Sequence, residues 1–239
     1  RAPGGAKTLV SRFGLATSNG TDTVTALDVT LAAGTSVGVA QVEITGSGGA
    51  PSYGTDTAPV GELWSITGAS IPVTSTPTDF EVHVTPKSHA LMPGVPGASY
   101  AVTATVGNLT AGNTVSGSDT GSDTVTIDNL SPADSGWGAE HPGDTQVVLN
   151  WSNAGGDFAE VMILRNTATI SDTPTEGSTY VQGNSLGSSF IQYVGTGVST
   201  TATSLTNGQN YYFKTFARDS SGNWAAGAQT GPHQPLADT

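Results

Sequence analysis

Apolar and polar residues alternate two by two through short runs, and clusters of Gly, Pro, Asn and Ser separate one run from the next. A period of two is the signature of half-buried strands, and frequent turn residues are what an all-β chain needs to reverse between them. Leu9, Phe13 and Leu15 share one face of the first run, and Leu27, Val29 and Leu31 share a face of the second. In the third run Val37 and Val39 hold one phase while Val42 and Ile44 hold the other. That slip by one residue predicts a bulge or strand switch near Ala40–Gln41. Phe80, Val82 and Val84 alternate with Glu81, His83 and Thr85, Tyr100 to Val106 repeats the pattern, and Val125 and Ile127 close the series.

After a joint at Asp128–Ala133, where Pro132 stops ladder pairing, a second series begins. Its strands are expected at Val147–Trp151, Ala159–Arg165, Thr179–Val181, Phe190–Val194, Tyr211–Arg218 and Trp224–Gly227. Long surface loops are expected at 46–61 and 135–143, a crossover at 92–97, an extended lead-in at 1–6 and a frayed tail from Pro232. No window carries a sustained apolar period of 3.6, so helix is not expected. The prediction is an all-β chain of two tandem β-sandwiches, residues 1–130 and 146–239, with 131–145 as linker.

Composition sharpens this picture. The 239 residues hold 32 Gly and only 11% charged residues, a mix that favours strands and turns over helix. With 19 acidic against 7 basic side chains the net charge is −12, which repels phosphate backbones and anionic lipid. Nucleic acid is therefore excluded as a partner, and no apolar run approaches the ~20 residues of a membrane span. Cys is absent, which removes disulfides, thiolate metal sites and covalent haem attachment. The low charge and the polar composition lean toward a secreted, extracellular bacterial protein, and a start at Arg1 without Met fits a mature form after signal removal.

Trp151 two residues after Leu149, and Leu205 six residues before Tyr211, lie where a fibronectin type III domain has its buried Trp and its tyrosine corner. The second half of the chain resembles that family across nearly its whole length. The resemblance implies that the Tyr211 phenol ties back to the preceding turn and that Phe213 and Ala217 point inward. Thr215 stands where a larger aliphatic residue is usual. The Arg-Gly-Asp loop of integrin-binding members is missing, since the turn reads Asp219-Ser-Ser-Gly222-Asn223. In the first half, the run from Thr114 to Asn129 followed by Ser131-Pro132 is similar to the last strand and linker of bacterial immunoglobulin-like domains. The pairing implies a non-catalytic structural protein: a subunit or spacer of a bacterial surface fibre, sheath or adhesin.

The candidate chemistry is sparse. His83, His89, His141 and His233 are scattered, His83 sits on the polar phase of its run and is expected to be solvated, and no motif pairs a nucleophile with a base. Asp119, Asp123, Asp128 and Asp134 cluster around the joint and suit calcium, a hard cation that wants several oxygens, although Asp in Gly/Ser turns also serves simply to form the turn. Trp64, Trp137 and Trp224 with Tyr53 offer stacking surfaces for a polysaccharide, the alternative function being a carbohydrate- or surface-binding module of a larger secreted protein; the simpler reading puts Trp64 in a core and Trp137 in the inter-domain contact. The run Thr8–Ala16, with Leu9, Phe13 and Leu15 on one face, could be donated to a neighbouring subunit's sheet; the simpler reading makes it the first strand of its own domain. Self-association or contact with other surface proteins is the expected partnership. Glycosylation sequons fall at Asn19, Asn108, Asn129 and Asn150.

Overall fold

In the computed structural model the described residues are 1–237, without the side chains of Ser118, Asp119 and Thr120. They form nineteen strands and two single 3-10 turns, with no α-helix among them. No helix is long and apolar enough to cross a membrane. The chain is all-β, its sheets are antiparallel, and it divides into two compact units. One comprises Arg1–Pro93 with Ser99–Asn129, the other Gly94–Ala98 with the chain from Leu130 onward.

The first unit contains β1 (Thr8–Thr17), β2 (Thr21–Leu31), β3 (Val39–Gly46), β4 (Ser52–Asp56), β5 (Leu63–Thr74), β6 (Thr78–Pro86), β7 (Ser99–Val102), β8 (Ala104–Ala111), β9 (Val115–Ser122) and β10 (Val125–Asp128). They pair as a five-stranded sheet β4-β3-β6-β1-β9, a three-stranded sheet β5-β2-β8 and the ribbon β10-β7. Leu27, Val29 and Leu31 of β2 and Phe80, Val82 and Val84 of β6 are buried as their alternation demands. The phase slip in β3 is a register shift between Val39 and Gln41, where the bulge was expected. Val37 lies outside the strand, in the 3-10 turn Ser36–Gly38, and is 41% exposed.

Three expectations change in this unit. A bulge in β1 between Leu9 and Ser11 buries Val10 completely beside Phe13 and Leu15, and leaves Leu9 half-buried. The stretch 46–61 is not all loop: β4 forms within it and pairs with β3, which a segment poor in apolar residues did not advertise. The lead-in is tied down, since Gly4 N–H donates to Lys87 O at 2.7 Å, the Arg1 ammonium to Thr126 O, and Asp128 N–H to Arg1 O at 2.9 Å.

The second unit contains β11 (Gly136–Trp137), β12 (His141–Gly143), β13 (Gln146–Ser152), β14 (Phe158–Asn166), β15 (Ser185–Leu186), β16 (Ser189–Gly195), β17 (Ser199–Ala202), β18 (Tyr211–Asp219) and β19 (Ala228–His233). One sheet centres on β13, flanked by β11, β12 and β17; the other runs β15-β16-β14-β18-β19. Val147, Leu149 and Trp151 from the first, and Val161, Ile163, Tyr211 and Phe213 from the second, share one apolar core. The Tyr211 hydroxyl accepts the Thr206 N–H at 3.1 Å, so the phenol does tie back to the turn before its strand. Tyr211→Phe is expected to lose about 1–1.5 kcal/mol, read from the urea midpoint at unchanged slope, because the Thr206 N–H loses its acceptor. Thr215 is fully buried, its hydroxyl within hydrogen-bond reach of Ala228 O at 3.2 Å and Ser135 O at 3.3 Å.

Here too the structure corrects the reading. The expected loop 135–143 carries β11 and β12, both paired to β13, and Trp137 packs against this unit's own core with its indole N–H on Ala228 O at 2.8 Å. Trp224 makes a single bridge to Arg218, and the last strand lies further on, at β19. The tail from Pro232 is held as far as Leu236, whose N–H donates to Gly143 O at 3.1 Å, while Pro235 O accepts Gly208 N–H at 2.9 Å. Thr179–Val181 is not a strand. Residues 167–184 instead cross the outer face of the β14–β18 sheet as a strap, and build a second core from Met162, Leu164, Ile170, Ile191, Phe216 and Trp224. Trp224 anchors the strap: its backbone N–H reaches Glu176 Oε2 at 2.9 Å, its indole N–H reaches Ser178 O at 3.1 Å, and Tyr180 meets its ring edge-on at 5.6 Å.

Candidate functional site

The first unit is open along one flank. Between β8, which pairs only with β2, and β9, which pairs only with β1, lies a groove of about 420 Å³. Ser11, Phe13 and Leu15 form its floor, residues 105–109 one wall, and Val115 and Gly117 the other. A bulge in β8 at Asn108 and Leu109 shapes that wall: Asn108 takes φ 49, and its amide donates to Asp28 Oδ2 at 2.8 Å. Asn tolerates this left-handed conformation better than most residues, which gives the position its residue type. Among the described residues the lining has no titratable side chain. It offers apolar surface, hydroxyls and a free strand edge, which suits binding and gives no group to move a proton.

Phe13 and Leu15, two of the three residues suggested for donation, are therefore the floor of this groove. Leu9 is not part of it. Their strand, β1, is paired on one side to β6 and on the other to β9, so donating it would mean opening its own sheet.

The titratable groups gather on the opposite face of the same sheet. His83 is 9% exposed and Glu81 6%, so the expectation of a solvated histidine does not hold. Alternation placed both side chains away from the core correctly, but the β3–β4 loop folds down over them. Gly49 N–H donates to Glu81 Oε2 at 2.9 Å, His83 Nε2 lies 3.0 Å from the same oxygen, and Arg12 Nε is 3.5 Å from Glu81 Oε1. Lys7 clamps the loop, with Nζ 2.8 Å from Glu43 Oε2 and 3.1 Å from Gly49 O. Burial acts to raise the Glu81 carboxyl, but the hydrogen bonds from His83 and from the Gly48 and Gly49 N–H groups outweigh it and hold the group below its ordinary value. Glu43 behaves alike: burial raises it, and the bonds from Lys7 and Ser52 bring it down. Each charge has a partner of opposite sign, as in a structural clasp.

Three of the four aspartates suggested for calcium are each engaged by a neighbour in the chain. Asp123 faces Arg12 at 3.4 Å, Asp128 accepts from Ser99 Oγ at 3.0 Å, and Asp134 accepts the Gly227 N–H at 2.7 Å; the Asp119 side chain lies outside the described residues. Of the aromatic residues suggested for sugar stacking, Trp64 is fully buried with its indole N–H on Ser36 Oγ at 3.0 Å, and Trp224 is 1% exposed. Tyr53 and Trp137 are half-buried, Tyr53 edge-on to Phe80. Asn129 of its sequon is buried, its amide donating to Pro93 O at 2.9 Å.

No protein-family model and no curated protein matches the chain. Among solved structures, the beta-1,2-glucanase from Parabacteroides distasonis aligns over 94% of this chain at 14% identity and a TM-score of 0.31. The chain spans only 30% of that glucanase, and a similarity this low carries no argument about fold or activity.

Proposed function

We propose that the chain is a non-catalytic extracellular structural protein, a subunit or spacer of a bacterial surface fibre, sheath or adhesin. On this reading the two units are tandem β-sandwiches, the first immunoglobulin-like and the second of fibronectin type III kind. The observation that carries the proposal is the character of the groove: apolar and hydroxyl-lined, without an acid or base among its described residues. The second unit adds support. Trp151 is buried between two facing sheets, and Tyr211 ties to Thr206 as the fibronectin type III resemblance implies. Of the buried carboxylates among the described residues, Glu81 is hydrogen-bonded by Gly49 and His83 and faces Arg12, and Asp219 accepts from the Ser221 and Asn223 N–H groups and the Asn223 amide.

Immunogold labelling of the cells that make the protein, viewed by negative-stain microscopy, tests the reading. Label running along surface filaments or a sheath is the expected result. Label confined to the cell interior, with surface polymers bare, overturns it.

A further inference from the structure

Sheet edges are where β proteins aggregate, and natural chains blunt them with charge, proline or very short strands. Nearly all strands that end a sheet here are blunted. β4 ends in Asp56, β9 holds Asp119 and β10 holds Asp128; β5, β12 and β19 contain Pro72, Pro142 and Pro232; β11 and β15 have two residues each. β7 runs into β8 across Thr103 and is flanked by β10, by the Ala32 N–H on Thr103 O, and by the turn that packs Gly38 on Tyr100. Two edges, one in each unit, have no charge and no proline, are longer than two residues and lack the flanking contacts of β7: β8, which reads Ala-Thr-Val-Gly-Asn-Leu-Thr-Ala, and β17, which reads Ser-Thr-Thr-Ala.

We infer that these two edges are made for each other, and that β17 of one copy adds to the free edge of β8 in a second copy. This rests on the structural reading above and names its partner surface. The lengths agree: β17 has four residues, and β8 runs straight for four, Ala104–Gly107, before its bulge. The side chains agree too. Val198, just before β17, is 55% exposed, and the groove beside β8 has the half-buried Val106 and Val115 on its walls above a floor of Phe13 and Leu15. In a molecule of net charge −12, two uncharged edges are also where copies meet without like charges opposed. The contact joins different surfaces, so it is heterologous, and repetition gives a ring or an open filament according to whether the rotation closes.

Sedimentation velocity on the full chain tests this, with two variants chosen to leave the fold intact. Gly107→Glu falls at an exposed glycine whose added Cβ would meet nothing within 4 Å, and Val198→Asp falls at an exposed side chain. The unaltered chain is expected to grow beyond its single-chain mass of 24.0 kDa as concentration rises toward millimolar. Each variant, melting as the parent does, is expected to remain single. Mixed in equal amounts, they are expected to form pairs of about twice the single-chain mass and nothing larger, because each supplies the edge the other lacks. Variants that assemble like the parent, a parent that stays single throughout, or a mixture that fails to pair would each overturn the inference. The labelling experiment stands apart from all three, so a surface location with no β8–β17 pairing sinks this contact alone.

Discussion

Trp224→Ala is expected to cost about 3–5 kcal/mol, the range for deleting a large side chain from a packed core. Trp224 is 1% exposed and sits where Phe216, Met162 and Ile170 meet, so its removal leaves a cavity the sheet cannot close. It also frees the strap, because the indole bond to Ser178 O and the edge contact with Tyr180 disappear together. Digestion with a glutamate-specific protease provides the second measurement. The parent should resist cleavage at Glu176, which is bonded to the Trp224 N–H, while the variant should be cut there. A denaturation loss under about 1 kcal/mol with Glu176 still protected would show that the strap holds itself in place.

Glu81→Ala is expected to destabilise by about 3 kcal/mol, since it strands buried partners instead of merely removing a contact. The imidazole of His83 loses its acceptor, the Gly49 N–H keeps only Gly46 O, and Arg12 keeps only Asp123. The pH dependence carries the sign. The Glu81 carboxyl is held below its ordinary value of 4.5 in the folded chain, so its contribution is present in full above that value. It disappears as the pH falls through the lowered folded value. Between pH 5 and 3, roughly, the melting temperature of the parent should therefore fall more steeply than that of the variant. Equal slopes would mean that the clasp contributes nothing through ionisation.

How much of this was legible in the sequence depends on what each feature is made of. Phe80, Val82 and Val84 announced their face because an apolar side chain at every second position has a single good arrangement in a half-buried sheet. The bulge in β3 was legible from the same rule, as the place where Val39 and Val42 fall out of step. The clasp was half legible. Alternation sent Glu81 and His83 to the side away from the core, but their burial depends on a Gly- and Ser-rich loop that bonds through its backbone and leaves no side-chain pattern to read. The strap was missed for a related reason: Ile170 and Tyr180 approach the sheet from irregular chain, at a spacing matching no period. The groove could not be found at all from one strand, because it exists only where β1, β8 and β9 come together. The uncharged character of β8 and β17 was visible from the start, but it gained meaning once the sheet order showed which strands are edges.

Because the strap covers one face of β14 and the shared core the other, Val161, Met162, Ile163 and Leu164 are buried four in a row. Such a strand has lost the contrast between oily and wet sides that normally punishes sliding by one position. Its alignment must be kept by landmarks instead: the irregularities opposite β16 and β18, and Arg165 laid across the Phe190 ring at 4.7 Å. Swapping residues among those four positions should thus be well tolerated, whereas deleting one residue between the landmarks should not.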